Sequence, residues 1–156
     1  MIRVQEQDFD VGAELARLSA GNHDIGGLAV FVGLVRDMTG DKSIRAMTLE
    51  HYPGMTEKML ARVEAEARAR WPLEESLIIH RVGRLEPGER IVLVAAASAH
   101  RQAAFDACQF LIDWLKTKAP FWKLEETGAG AKWVEARATD TDAAARWTKN
   151  DPEAAE

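Results

Sequence analysis

Hydrophobic and polar positions change period several times along the chain. Residues 2–4, IRV, predict a short strand. Asp10 then precedes Val11, Leu15 and Leu18 at helical spacing, the signature of a capped short helix. Residues 28–35, LAVFVGLV, are nearly continuously apolar and rich in β-branched side chains, which predicts a buried strand, and Gly33 inside it marks a bulge or a close backbone approach. Residues 44–51 alternate and predict a strand that pairs with the preceding one as a long hairpin across the polar loop 37–43. After Tyr52-Pro53-Gly54, Thr56 is the expected cap of a helix with Met59, Leu60, Val63 and Ala67 on its apolar face, ended by Trp71-Pro72. Residues 76–82 and 90–97 predict two further strands, separated by turns at Gly83 and Pro87-Gly88.

The longest coherent pattern is SAHRQAAFDACQFLIDWLKTKAPFWK, residues 98–123. Ser98 can cap a helix on which Ala104, Cys108, Leu111 and Leu115 share one face, flanked by Ala107 and Trp114. Pro120 stops it near Ala119. Residues 121–125 and 132–136 then predict a hairpin around Gly128-Ala129-Gly130, and residues 139–147 a short helix. Hairpins outnumber β-α-β crossovers in this order. The expectation is an α+β fold, a mainly antiparallel sheet with helices packed on one side and a small β-hairpin extension.

At 156 residues the chain is expected to form a single domain over 1–147, followed by a disordered acidic tail, 148–156. No run of about 18 apolar residues predicts a transmembrane helix, and MIRVQEQDF lacks the apolar core of a signal peptide. The single cysteine excludes an internal disulfide framework and fits a reducing cytoplasm. Its place mid-helix on the apolar face predicts a core residue. The four histidines are scattered without metal spacing, His23 in a polar break and His80 inside a strand, where a cross-strand or edge role is expected. Phosphate loop, dinucleotide glycine fingerprint and nucleophile elbow are all absent, so no metal or cofactor is expected and chemistry falls to lysine, arginine, histidine and backbone groups.

Charge sharpens the picture around the long helix. The chain carries a net charge of −5, yet residues 98–123 carry +2. Cations at a helix C-terminus complement its dipole, which accounts equally well for Lys118. Lys116 and Lys123 lie beside Trp114, Phe121 and Trp122 and can line an apolar-walled pocket, where crowded cations make a lysine a better base or nucleophile. Such a local field suits an anionic small ligand or an acidic partner tail. A single-stranded RNA binder would use the same aromatic–basic mixture but would want an extended basic face. Arg36 leaves the end of the strand 28–35, where a charged residue either reaches solvent or serves a site.

The segments FVGLVRDMTG (31–40), LEHYPGMTEKML (49–60), IIHRVGRLEPGE (78–89), 98–123 and WVEAR (133–137) together resemble the large, catalytic subunit family of molybdopterin synthase, over roughly residues 1–147. The resemblance implies an α/β-hammerhead-like fold and a sulfurtransferase of molybdenum cofactor biosynthesis. Sulfur would come from the C-terminal Gly-Gly thiocarboxylate of a small ubiquitin-like partner and pass to cyclic pyranopterin monophosphate, giving the dithiolene of molybdopterin. It also implies a homodimer that forms a heterotetramer with two small subunits. Carried over residue by residue, Lys116 and Lys123 would be the catalytic pair, and Arg36, His100 and Arg101 would hold phosphate and pterin, with Phe31 and Arg137 as further pocket residues. Lys118 stands where the family often has arginine, and Leu124 where a basic residue is common, so the field beside Lys123 is expected to be weaker. The thiocarboxylate brings its own sulfur, so no cysteine of this chain is required.

Sixteen residues separate His100 from Lys116, about 24 Å along one helix. Both can serve one small substrate only if two chains build the site. The competing reading is a non-catalytic adaptor that docks a ubiquitin-like tail in the same basic groove, although an adaptor has no need of His100 and Arg101.

Overall fold

The computed structural model describes residues 1–39, 42–134 and 138–148. The fold is mixed α+β, with mainly antiparallel strands. The first sheet contains β1 (Ile2–Gln5), β2 (Gly27–Leu34), β5 (Glu75–Arg81) and β7 (Arg90–Ser98) in the order β1-β5-β7-β2. The β1–β5 pair is parallel and the others are antiparallel. β5 and β7 are central strands, and their side chains are buried on both faces almost throughout.

Three helices cover one face: α2 (Met55–Arg70), α3 (Arg101–Lys118) and α4 (Ala138–Thr148). Leu60, Val63, Ala67, Ala104, Phe110, Leu111 and Leu115 meet Ile78, Val94 and Ala96 there. Phe110 is fully buried, with Trp71, Trp147 and Trp114 around it at edge-on angles and centroid distances of 5.3, 5.5 and 6.1 Å. Such pairs add stability beyond the area they bury, and here they lock three helix ends together. The opposite face is not bare as expected: α1 (Val11–Ser19) lays Val11, Leu15 and Leu18 over Leu77, Ile79, Leu93 and Ala95. β5 and β7 are near-continuous apolar runs that need cover on both sides, and α1 supplies the second.

A second sheet carries more than the expected hairpin. It runs β3 (Met38–Thr39), β4 (Lys42–His51), β8 (Phe121–Thr127), β9 (Gly130–Val134), and β6 (Gly83–Leu85) joins β4. Val35, Met47, Leu49 and Leu85 form its own apolar cluster, and Ile91 packs against both this cluster and the main core.

Two pairings differ from expectation. β4 does not pair with β2; it takes β8 along its length, from His51 opposite Phe121 to Ile44 opposite Thr127. β2 instead closes the edge of the first sheet against β7, with the irregularity at Gly33/Leu34 that Gly33 foreshadowed. β2 is therefore an edge strand and not a buried one: Leu28, Val30, Phe31 and Leu34 are exposed. Asp10 caps α1 as expected, its Oδ1 accepting from Ala13 N at 2.8 Å. Thr56 does not cap α2. Gly54 does, at φ 81°, a conformation that glycine adopts freely, and Glu57 accepts from its N–H at 2.7 Å. Thr56, the second residue of α2, is buried, and its hydroxyl donates back to the Tyr52 carbonyl at 3.0 Å. The tail expected to be disordered lies, beyond Thr148, outside the described residues. Among the described residues no helix is long and apolar enough to cross a membrane.

Candidate active site

The site residues gather at the two ends of α3 and on the strand that follows it. The N-terminal end is built by close backbone approach. Ser98 is fully buried; its hydroxyl donates to the Pro72 carbonyl at 2.7 Å and accepts from His100 N at 3.3 Å. It thus ties the corner rather than capping the helix, whose N-cap is His100 with no side-chain bond. Gly26 presses from the other side: its N–H donates to Ser98 O, and a Cβ there would stand 2.2 Å from Ala99 O. His100 and Arg101 emerge exposed from this corner, at the positive end of the helix dipole.

At the other end the lysines diverge. Lys118 stacks on Trp114, its ammonium 3.9 Å from the ring centroid, a cation–π contact that goes beyond the dipole reading. Lys116 is exposed and lines a groove of about 420 Å³ between α3 and β2. Phe31, Phe105, Ile112 and Asp113 line the same groove. Asp113 is buried, accepting from Trp147 Nε1 at 2.8 Å and pairing with Arg146 Nη2 at 3.1 Å. Cys108 also reaches the groove wall, but burial pushes its thiol up to about 11, which leaves it protonated and poorly nucleophilic. Its core assignment holds.

Pro120 ends the helix region, and Phe121 N donates to Ala119 O at 2.8 Å, a tight turn that launches β8. Phe121, Lys123 and Glu125 then share one face of β8, opposite His51, Leu49 and Met47. Lys123 is half-buried, at 34% side-chain exposure, with its ammonium 3.9 Å from Glu125 Oε1. Beside Phe121 lies His80 from β5, 5% exposed and stacked at 3.8 Å with a 16° tilt. Burial lowers the His80 pKa to about 4, the Arg81 carbonyl opposing and His51 adding to the effect.

Of the expected site residues, the structure brings Phe31 and Lys116 into one groove. Arg36 follows β2 and is exposed, Lys123 stands on β8, and His100 and Arg101 stand at the far end of α3. Arg137 lies outside the described residues. Phe105, Gln109 and Ile112 were missed as groove residues. The signal was available, because 105, 109, 112 and 116 descend one side of the helix at steps of four, three and four. It is hidden by the broader apolar face of α3, which is buried on most sides from Ala107 to Leu115.

Comparison with known proteins places the chain in a family. The family model described as "MoaE protein" matches residues 4–118. The molybdopterin synthase catalytic subunit of Pseudomonas aeruginosa is 59% identical over 146 residues, covering 94% of this chain and 97% of the relative. That of Ralstonia nicotianae is 58% identical over 146 residues, with 94% and 83% covered. Among solved structures, the molybdopterin biosynthesis MoaE protein of Burkholderia ambifaria superposes with a TM-score of 0.82 at 55% identity, covering 95% of this chain and 97% of that one. One subunit of a two-subunit molybdopterin-converting factor complex from Helicobacter pylori shares the fold, with a TM-score of 0.72 at 20% identity, 87% and 91% being covered. A family model over residues 4–118 and relatives 58–59% identical across 94% of the chain make this chain a member of the MoaE family of molybdopterin synthase catalytic subunits.

Proposed function

We propose that the chain transfers sulfur from the C-terminal thiocarboxylate of a small ubiquitin-like protein to cyclic pyranopterin monophosphate, forming the dithiolene of molybdopterin in the cytoplasm. The observation that carries this reading is the groove beside Lys116, floored by β2 and walled by Phe31, Phe105 and Ile112. Its apolar wall is joined by the polar side chains of Gln109, Asp113 and Lys116. That form suits a glycine tail that must deliver a reactive carbonyl to an ammonium group. Lys116 stabilises charge on the acyl carbon's oxygen and moves protons. Lys123, held half-buried, assists at the pterin. Arg36, His100 and Arg101 hold the cyclic phosphate and the pterin, with Arg137 as a further pocket residue.

The site is composite. α3 is unbroken from Arg101 to Lys118, so His100 and Lys116 stand about 24 Å apart in one chain. The exposed apolar side chains of Leu28, Val30 and Leu34 on the edge strand favour a second copy covering this edge. In that arrangement one subunit gives Lys116 and Lys123, the other His100 and Arg101, and two small subunits complete a heterotetramer.

The test is a single-turnover reaction of this protein with thiocarboxylated partner and precursor, product being detected by the fluorescence of oxidised molybdopterin. Wild type is expected to form product, and Lys116→Ala to lose about 100-fold or more in rate. Product from both would move the chemistry elsewhere. No product from wild type with bound partner would make the chain an adaptor.

A further inference from the structure

His80 belongs to no part of the proposed chemistry, yet it is a buried polar side chain at the junction of the two sheets. β5, which carries it, pairs with β1 and β7, whereas β8 pairs with β4 and β9. No described ladder joins β5 to β8. The contact across the junction is made by side chains, the imidazole of His80 lying flat on Phe121 at 3.8 Å. Phe121 also meets His51, its partner in the β4–β8 register, at 6.3 Å. It is the first residue of β8, directly after the Ala119-Pro120 turn.

The His80 ring is itself held. Its Nδ1 lies 2.8 Å from the Arg81 carbonyl, which can only accept, so Nδ1 carries a proton, and burial disfavours a second one on Nε2. The Arg81 side chain is anchored in turn to the carbonyls of Glu6 and Arg90 and to Glu89. A flat, oriented plate therefore presses on the start of β8. Two residues on, and on the same face, Lys123 projects, about 7 Å further along the strand. Phe121 and Lys123 are thus set by one short stretch of strand, Phe121 opposite His51 and Lys123 opposite Leu49.

We propose that His80 is a positioning residue for Lys123, acting through the stacked ring of Phe121. Its neutral state, which burial favours, keeps a second cation away from the lysine; the charged or titratable neighbours on this face are His51 on β4 and Glu125 on β8. The proposal rests on the assignment of Lys123 to the chemistry.

The test is a double-mutant cycle in the single-turnover reaction with thiocarboxylated partner and cyclic pyranopterin monophosphate, using wild type, His80→Ala, His80→Phe, Lys123→Ala and the double variant His80→Ala/Lys123→Ala. His80→Ala is expected to slow product formation about tenfold at saturating substrate, with partner affinity unchanged within about twofold. His80→Phe, which keeps a flat ring, is expected to recover to within about threefold of wild type. The double variant is expected to be no slower than Lys123→Ala alone, because a residue that acts through Lys123 has nothing left to position. A wild-type rate in His80→Ala, equal loss in His80→Phe, or multiplicative loss in the double variant overturns the proposal. A wild-type rate in Lys123→Ala instead overturns the role given to Lys123 itself. Should His80→Ala fail to fold, Phe121→Leu takes its place in the same cycle, with the same non-additivity required.

Discussion

Acidification should weaken this fold through the buried His80. His80 titrates near 4 in the folded chain, where burial disfavours the imidazolium, and near 6.5 when unfolded. Between these values the unfolded chain holds the proton and the folded chain does not, so stability falls as pH falls. The contribution is intact above about pH 6.5 and is lost progressively towards pH 4. The fall from 6.5 to about 4 corresponds to about 3 kcal/mol, or about 1.4 kcal/mol for each pH unit within the window. Other shifted carboxylates act lower. Asp8 is held down to about 2, chiefly by its hydrogen bond from Arg90. Glu64 lies below its ordinary 4.5, where the effect of burial is outweighed by the Ser76 hydroxyl and the N-terminal ammonium. The interval from about pH 6.5 to 4.5 therefore reports on His80. Urea unfolding of wild type and His80→Phe, at one protein concentration and several pH values across that interval, measures it. Wild type should lose about 2–3 kcal/mol more than the variant. Parallel curves would refute the buried, neutral histidine.

Three further substitutions probe the frame that carries the site. Gly26→Ala places a methyl 2.2 Å from the Ala99 carbonyl, and should cost about 1–3 kcal/mol in urea unfolding while weakening pterin binding through the displaced His100 corner; an unchanged midpoint would show that the corner yields freely. Trp147→Phe removes the indole donor from buried Asp113 and should destabilise by about 1–3 kcal/mol, which Asp113→Leu in the same background should no longer add to in full. Asp10→Ala should lower stability by about 1 kcal/mol by uncapping α1, with Asp10→Ser close to wild type in a thermal melt.

Local patterning carried much of this fold. The apolar face of α3 at Ala104, Cys108, Leu111 and Leu115, the cap at Asp10 and the β8–β9 hairpin around Gly128-Ala129-Gly130 are all legible in the chain, because helix and strand periods and turn chemistry are properties of neighbouring residues. The resemblance of the segments around 31–40 and 98–123 pointed to the family that the comparisons establish. What the chain alone did not decide is which elements meet. β2 looked buried and paired with its successor; in the fold it is an edge strand on β7, and β4 belongs to β8, some 70 residues on. Phe105, Gln109 and Ile112 became a groove only when β2 came to lie beside α3, and His80 became the support of Phe121 only when the two sheets met. A period of two states which residues share a face but not which strand lies beside it. Strand partners are chosen by the joint burial of many side chains and the closing of long loops, and those are sums over the whole chain.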